Sequence, residues 1–445
     1  MPGSVNWRPG VLRLFARARP AWADSPIVLN AASLFGSTAI TSGLGFCFWL
    51  LAAHLFPVNA VGVASAAVSS MQLAAVAGLA GMGTLMIAEL ADGRAPAGLV
   101  SAAAICAGLT SAAVGLGYLL LESVASVDLG FADRGVWGPI VYLAGVAATS
   151  AAFVIDQASI GIQRGDLQLA RNTVFSVVKL ALLPAVVVLA ARDAALGIYA
   201  AWFLGGVVSL LTLRAHLWRG GLRPQLRPAF RALGAIRGAA LAHHWLNLSS
   251  QTPRLALPVL VATILSPSLT AAFYTAVLIV NFADVVPGHL SNALFALPRG
   301  QLDRLARELR GTLRISAVVA VFSAGLIAVS SHFILSLFGP EYVAATTAMI
   351  ILGFATLPFS IKVHYMAVCR VHGRLRWCAT ITTIGAAMEL GAAAIGAEAV
   401  GLWGVSAGLL LALSVEALLL WPSVARAAGL PRVLPWSPAD GPGGA

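Results

Sequence analysis

Seven charged side chains interrupt segments of the sequence that are otherwise apolar. They are Asp156, Lys179, Arg254, Asp284, Lys362, Glu389 and Glu416. Placing an ionised group at the centre of a membrane costs about 2.5–3.5 kcal/mol on insertion scales, so each is expected to face a partner or a water-filled cavity. Arginine and lysine bind phosphates and carboxylates, and a shielded carboxylate takes up and releases protons. These residue types therefore indicate anion binding and proton transfer.

Arg254 and Asp284 are expected at similar depth on neighbouring spans. Counted from the same end of the two spans, they lie about 11 and about 15 residues in, which at a rise of 1.5 Å per residue is a difference of about 6 Å. One interpretation is a structural ion pair that braces the hairpin. The other is a cavity-lining cation, Arg254, which contacts Asp284 when the cavity is empty and an anionic ligand when it is loaded.

The remaining charges fall into two corresponding regions of the chain. Asp156 and Lys179 are near enough to form a pair, and the alternative for Lys179 is a side chain that extends to the membrane interface. Lys362 and His364 occupy the matching region of the second half, where His364 is either a proton relay or a hydrogen-bonded packing residue. Glu389 lies about 12 residues inside its span and is the best candidate for a protonatable carboxylate. Glu416 is expected to reach water.

The composition is that of a polytopic membrane protein. Of the 445 residues, 59% are hydrophobic and 10% charged, and the mean hydropathy is +0.88, whereas soluble domains carry about 25% charged residues. The net charge of +11 is explained by basic loops at a membrane surface, so no nucleic acid is expected as a partner. The sequence has no Walker A loop, nucleophile constellation or metal-ligand spacing, so we expect neither ATP use, nor enzymatic activity, nor a cofactor.

Twelve spans are predicted, and the charges fix their orientation. Of the 28 arginines and lysines, 23 fall on one side, two (Arg134 and Arg192) on the other, and three within spans. The positive-inside rule then places both termini in the cytoplasm. The spans are 27–53, 60–88, 97–121, 137–160, 172–190, 195–213, 245–265, 269–297, 315–337, 343–368, 377–396 and 400–422. The domains are an N-terminal segment (1–26), a six-span lobe (27–213), a basic loop (214–244), a second lobe (245–422) and a tail (423–445).

The two predicted lobes contain related stretches. LLAAHLFPVNAVGVASA at 50–66 resembles LVATILSPSLTAAFYTA at 260–276, which aligns Pro57 with Pro267 at a shift of 210. DQASIGIQRGDL at 156–167 resembles HYMAVCRVHGRL at 364–375, which aligns Gly165 with Gly373 and Asp156 with His364 at a shift of 208. Because six spans separate the units, the repeat is parallel in the membrane.

Three motifs carry a family resemblance over nearly the whole chain. FWLLAAHLFPVNAVGVASA in the first hairpin, LFGPEY at 337–342 and the DQ…QRG…RN…K run from Asp156 to Lys179 resemble the Wzx-type polysaccharide-biosynthesis flippases. These form a branch of the multidrug/oligosaccharidyl-lipid/polysaccharide exporter superfamily. The resemblance implies an all-α membrane protein whose two pseudo-symmetric six-helix lobes form a V around a central cavity. Many members of the branch have fourteen spans rather than twelve.

The function implied by this resemblance is alternating-access translocation of a polyprenyl diphosphate-linked oligosaccharide for cell-surface polysaccharide, in the bacterial plasma membrane. We expect a monomer, with a polysaccharide polymerase or ligase as a further candidate partner. The expected substrate-binding residues are Arg254, Lys179, Lys362, Asp156 and Asp284, and the expected coupling residues are Glu389 and His364. The alternatives are a drug or cation antiporter of the same superfamily, disfavoured by the lack of a carboxylate in 27–53, and a non-transporting scaffold of a saccharide-assembly complex.

Overall fold

The structure is a computed structural model of the chain. It describes residues 26–91, 98–125, 135–189, 193–219, 228–231, 233, 240–294 and 302–430. Residues 1–25 of the predicted N-terminal segment, about half of the predicted basic loop (220–227, 232 and 234–239) and residues 431–445 of the predicted C-terminal tail therefore lie outside the described residues.

The described residues form α-helices and no β-strand. The helices are α1 (Pro26–Leu55), α2 (Val58–Gly78), α3 (Met82–Ala91), α4 (Leu99–Ala125), α5 (Trp137–Gly161), α6 (Gly165–Leu189), α7 (Ala194–Arg219), α8 (Ala240–Ile264), α9 (Pro267–Ala293), α10 (Leu302–Ser336), α11 (Thr346–Val371), α12 (Leu375–Val400) and α13 (Leu402–Ala427). A 3-10 helix, Pro340–Ala345, precedes α11.

The predicted all-α membrane fold is confirmed. Within the described residues, 11 helices are long and apolar enough to cross a membrane. The helix that carries Arg254, α8, has 25 residues but is too polar to meet that criterion. The second predicted span is a broken helix, because α2 and α3 are separated at Ala80 and Gly81, whose φ angles are 46° and 84°. The fifth span begins earlier than predicted, at Gly165 rather than at residue 172.

The helices pack as two sets. In the first set α6 packs against α1 and α7, α5 packs against α4 and α3, and α2 packs against α4. In the second set α13 packs against α11 and α12, α12 packs against α8, and α11 packs against α9 and α10. The two sets meet mainly where α2 contacts α8 and α9, so α2 is the principal link between the two halves of the chain.

The repeat has one shift rather than two. The turn after α5 is closed by hydrogen bonds from the backbone N–H groups of residues 162, 163 and 164 to the carbonyls of 158, 160 and 159, and residues 372, 373 and 374 repeat them to 368, 370 and 369. Gln163 and Gly373 both have positive φ, 55° and 72°. The shift is therefore 210, and the predicted alignment of Gly165 with Gly373 and of Asp156 with His364 is wrong. The corrected register places Lys179 opposite Glu389.

Close backbone approach joins the halves near the hairpin tips. A Cβ atom at Gly62 of α2 would overlap the carbonyl oxygen of Pro267, the first residue of α9. Close by, the rings of Trp49 and Tyr274 meet edge to face at 4.8 Å, and those of Phe46 and Phe338 at 5.3 Å. Small residues let membrane helices approach closely, and the packing that results holds them together. This contact therefore ties the two halves on one side of the central cavity described below.

The predicted orientation leads to a labelling experiment. In a variant whose four cysteines are replaced by alanine, Val136→Cys should react with an impermeant maleimide in intact cells, because it lies at the end of α5 assigned to the outside. Arg374→Cys, in the turn between α11 and α12, should react only after the membrane is opened. Labelling of position 374 alone in intact cells would reverse the orientation, and the cysteine-free parent gives the background.

Candidate functional site

A cavity of about 480 Å³ lies between the two sets of helices, near the middle of their length. We call it the first cavity. Its volume is within the range of small-molecule binding sites. Its polar lining includes Thr38, Thr41, Ser42, Ser69, Gln72, Thr149, Asn172 and Asn281. The amide groups of Gln72 and Asn281 make no hydrogen bond with the described part of the chain, so both are available to a ligand.

One wall of the first cavity holds a buried ion pair. The guanidinium of Arg171 on α6 donates two hydrogen bonds to the Asp156 carboxylate on α5, at 2.7 and 2.6 Å. It donates a third, at 3.3 Å, to the Ser209 hydroxyl on α7. Asp156 therefore pairs with Arg171 and not with Lys179, which corrects the pairing expected from the sequence. A bidentate pair of this kind neutralises both charges and fixes the geometry of the three helices.

Lys179 lies in the same wall and has no carboxylate partner among the described residues. Its Nζ atom is 3.5 Å from the ring centroid of Trp202, 4.5 Å from that of Phe175 and 5.1 Å from that of Phe48. The residue is 2% exposed, so its amine does not extend to the membrane interface as the alternative interpretation required. The negative faces of aromatic rings stabilise a nearby ammonium. Lys179 thus lies in a cage of three rings, two of which, Phe175 and Trp202, also line the first cavity.

Arg254 is a cavity-lining cation that remains available to a ligand. It is exposed and lines both the first cavity and a second one of about 230 Å³, which also share Val277 and Asn281. Asp284 lines the second cavity, with its Oδ1 atom buried and without a hydrogen bond to the described residues. No ion pair within 4.0 Å joins Arg254 to Asp284, so the contact expected for the empty cavity is not formed.

A second buried charge cluster lies at the wall of the second cavity. Lys362 on α11 forms ion pairs with Glu389 on α12 and, at 3.0 Å, with Glu416 on α13. All three are at least 94% buried, with relative exposures of 4%, 5% and 5%. Lys362 is therefore held by two carboxylates rather than presented to the cavity. One ammonium faces two carboxylates, so the cluster has room for an additional proton.

His364 lies two residues from Lys362 on α11 and so on a different face of the helix, and it is bonded within its own helix. Its Nδ1 atom lies 2.7 Å from the Ser360 carbonyl oxygen, and its Nε2 atom is buried without a partner among the described residues. The sequence reasoning placed Arg171 in a loop and Glu416 at the water interface, whereas both take part in buried ion pairs. Asp156 and Arg171 lie at similar distances along the chain from the turn between α5 and α6. That spacing is the sequence signal that would have predicted the pair.

The charges of the first cavity do not cancel. Its charged lining residues within the described ranges are Asp156, Arg171, Lys179 and Arg254. Because Arg171 neutralises Asp156, the two remaining side chains are both basic. The second cavity is lined by two bases and two acids, Arg254, Lys362, Asp284 and Glu389. The first cavity is therefore suited to an anionic ligand.

The fold is that of solved transporters of the MOP superfamily. A multidrug resistance MATE family transporter in its inward-facing conformation superimposes with a TM-score of 0.59 at 17% identity, covering 89% of this chain and 98% of that one. An outward-facing transporter of that family gives 0.57 at 17% identity, with 91% and 95% covered. A MOP superfamily transporter from Pyrococcus furiosus, described as having a binding pocket of reversed polarity that suggests a different function, gives 0.53 at 15% identity, with 91% and 95% covered.

These identities are low, so the likeness shows the fold alone. The predicted superfamily fold is supported, and the flippase branch stays a prediction. No protein-family model matches the chain, and no curated protein matches it.

The charge cluster at Lys362 gives a stability prediction. Lys362→Met should lower the free energy of unfolding by about 3–5 kcal/mol, because two buried carboxylates lose their counter-charge. Adding Glu389→Gln and Glu416→Gln should recover most of that loss. Thermal unfolding of the purified proteins in detergent measures both. A triple variant no more stable than the single one would contradict the ion-pair assignment, and Arg376→Ala, an exposed arginine outside both cavities, is the matched control.

Proposed function

We propose that the protein is a flippase of the bacterial plasma membrane that moves an anionic, lipid-linked oligosaccharide by alternating access. The proposed substrate class is a polyprenyl diphosphate-linked oligosaccharide, carried by a monomer for cell-surface polysaccharide. In this proposal the two helix sets close alternately around the first cavity. A parallel repeat with the binding site at mid-membrane is an arrangement that transporters use for this purpose.

The observation that carries the proposal is the unneutralised arginine in the first cavity. Arg254 is charged at any biological pH, is exposed, and makes no hydrogen bond or ion pair with the described residues. Its planar guanidinium is suited to bidentate contact with a phosphate group. The Gln72 and Asn281 amides on the facing helices are suited to sugar hydroxyl groups. The lipid chain needs no pocket in the protein if it stays in the bilayer.

A cation antiporter is the second candidate, and one observation favours it. The Asp284 carboxylate has a buried oxygen without a partner in the second cavity, and an unpaired carboxylate is suited to a cationic substrate. Against it, Arg254 lines the same cavity and would repel such a substrate. The alternatives differ in the sign of the charge that is transported, so one experiment separates them. A scaffold would move neither substrate.

The experiment uses the purified protein in liposomes. A short-chain polyprenyl diphosphate oligosaccharide is incorporated, and its transbilayer movement is followed by its accessibility to an added glycosidase. Uptake of a fluorescent organic cation is measured in parallel. We expect movement of the anionic lipid and no uptake of the cation. Cation uptake without lipid movement would establish the antiporter, and neither activity would favour the scaffold. In a deletion strain, lipid-linked glycan should accumulate in the inner leaflet.

Arg254 gives the first functional prediction. Arg254→Ala should lower the rate of lipid movement by about 10- to 100-fold, which corresponds to losing a charge-assisted contact of about 1.5–3 kcal/mol. Arg254→Lys should retain part of the activity, since a point charge replaces a bidentate fork. Asp284→Asn should have a smaller effect than Arg254→Ala, because the two side chains do not pair.

Arg376→Ala is the control for the loss of one arginine. Gel filtration and thermal unfolding show whether each variant is folded. Transport at the wild-type rate by a well-folded Arg254→Ala protein would exclude the arginine as a ligand of the diphosphate. Recovery of transport in an Arg254→Asp, Asp284→Arg double variant would also exclude it.

We further propose that the Lys362 cluster couples transport to protons. With both carboxylates ionised, Lys362, Glu389 and Glu416 carry one net negative charge in a buried position. Taking up one proton removes that charge, so the protonation state of the cluster depends on whether water reaches it. Because Glu389 lines the second cavity, a change in that cavity exposes it. His364, two residues from Lys362 on α11, is the candidate relay.

The coupling prediction concerns pH. In liposomes with an acidic exterior, wild-type transport should be faster than at symmetrical pH, and Glu389→Gln should lose that stimulation while keeping its basal rate. The measurement is the initial rate of lipid movement at external pH values from about 5.5 to 8. An unchanged pH profile in Glu389→Gln would rule out this residue. In that case the flux of substrate, rather than protons, drives the flipping.

A further inference from the structure

The aromatic cage around Lys179 has the composition of a site for organic cations. Trp202, Phe175 and Phe48 surround its Nζ atom at centroid distances of 3.5, 4.5 and 5.1 Å. Aromatic cages of this type bind quaternary ammonium groups such as choline and methylated lysine. Here the position of the ligand is taken by an ammonium that the chain itself supplies.

The cage adjoins the transport cavity. Lys179, Phe175 and Trp202 all line the first cavity, although Lys179 itself is 2% exposed. Helix α7 packs closely against the lysine, since a Cβ atom at Gly205 would lie 3.0 Å from the Lys179 Cβ. Removing the lysine side chain beyond Cβ therefore opens the cage towards the first cavity while the contact with α7 is kept.

A lysine in this position is not explained by ion pairing. It makes no ion pair or hydrogen bond with the described residues, and the Asp156 carboxylate, which also lines the first cavity, is held by Arg171. The equivalent position in the second half is Glu389, which pairs with a lysine. The first half thus places its cation against rings, where a free organic cation would otherwise bind.

We propose that Lys179 is a tethered cation that fills an aromatic cation site and thereby excludes quaternary ammonium compounds from the first cavity. Lys179 is then a specificity-determining residue, and the latent site takes small quaternary ammonium ions. The inference deepens the proposed function, since a cavity for an anionic substrate gains selectivity by blocking the competing cation site. Only the purpose of the blocked cation site rests on the proposed function. The existence of the site is tested by binding alone.

The test is equilibrium binding of choline to purified protein in detergent. Wild type should not bind choline measurably at millimolar concentration, and Lys179→Ala should bind it saturably, at least about tenfold more tightly. The neutral isostere 3,3-dimethyl-1-butanol should bind neither protein. Lys179→Met, which refills the cage with an uncharged side chain, and Lys179→Ala combined with Trp202→Ala should both fail to bind choline.

Choline binding by Lys179→Ala no tighter than by wild type would overturn the proposal. Equal binding of the neutral isostere would also overturn it, because the cage would then be only an apolar hole. Since binding needs no lipid-linked substrate, a positive result stands even if the protein does not move such a lipid. A negative result leaves the Arg254 experiment untouched.

A second variant covers the case in which Lys179→Ala does not fold. In the cysteine-free background, Lys179→Cys is treated with a trimethylammonium methanethiosulfonate or with its neutral methyl counterpart. The ratio of the two reaction rates is compared with the ratio at Arg374→Cys in an exposed turn. The cage should raise that ratio at position 179 by about tenfold, and equal ratios would exclude a cation site.

Discussion

Moving a charged side chain out of water costs more free energy than one helix–helix contact provides. The buried charges are paired in a way that offsets this cost. Each half of the chain meets it by bringing three consecutive helices together. On α5, α6 and α7 the group is Asp156, Arg171 and Ser209. On α11, α12 and α13 it is Lys362 with Glu389 and Glu416. The charges therefore hold the corresponding helices of each half in register, and Arg254 is left to the cavity water.

Small residues make room for two of the buried charged side chains, Glu416 and Lys179. A Cβ atom at Gly385 would overlap the Glu416 carboxylate, and one at Gly205 would press on the Lys179 side chain. Between α12 and α13, Gly396 and Gly404 bring the two backbones into direct contact. Close packing raises the dispersion energy and excludes water, which strengthens the ion pairs that it surrounds. The glycines and the charges are thus parts of one arrangement, in which each half is firmly packed around its own cluster.

The sequence predicted the spans and the charged residues well, but not their partners. Hydropathy gives the length of a span, and residue counts give its depth, yet neither gives the direction in which a side chain points. Arg254 and Asp284 were placed at similar depth, and no ion pair within 4.0 Å joins them. Arg171 was assigned to a loop because a charge lowers the hydropathy of a window, although its bond to Asp156 makes burial affordable. The register of the repeat was wrong by two residues because Gln163 replaces a glycine in the turn.

In the corrected register, the two halves carry residues of opposite charge at one equivalent position. Lys179 and Glu389 occupy equivalent positions on α6 and α12, with opposite charges that are stabilised in different ways. The lysine is held by aromatic rings, which do not take up protons. The glutamate shares one lysine with a second carboxylate. In the proposed function, the anionic substrate and the coupling proton therefore bind different atoms. In the proposed function, a ligand bound to Arg254 changes the electrostatic potential at Glu389, because Arg254 lines both cavities and Glu389 lines the second.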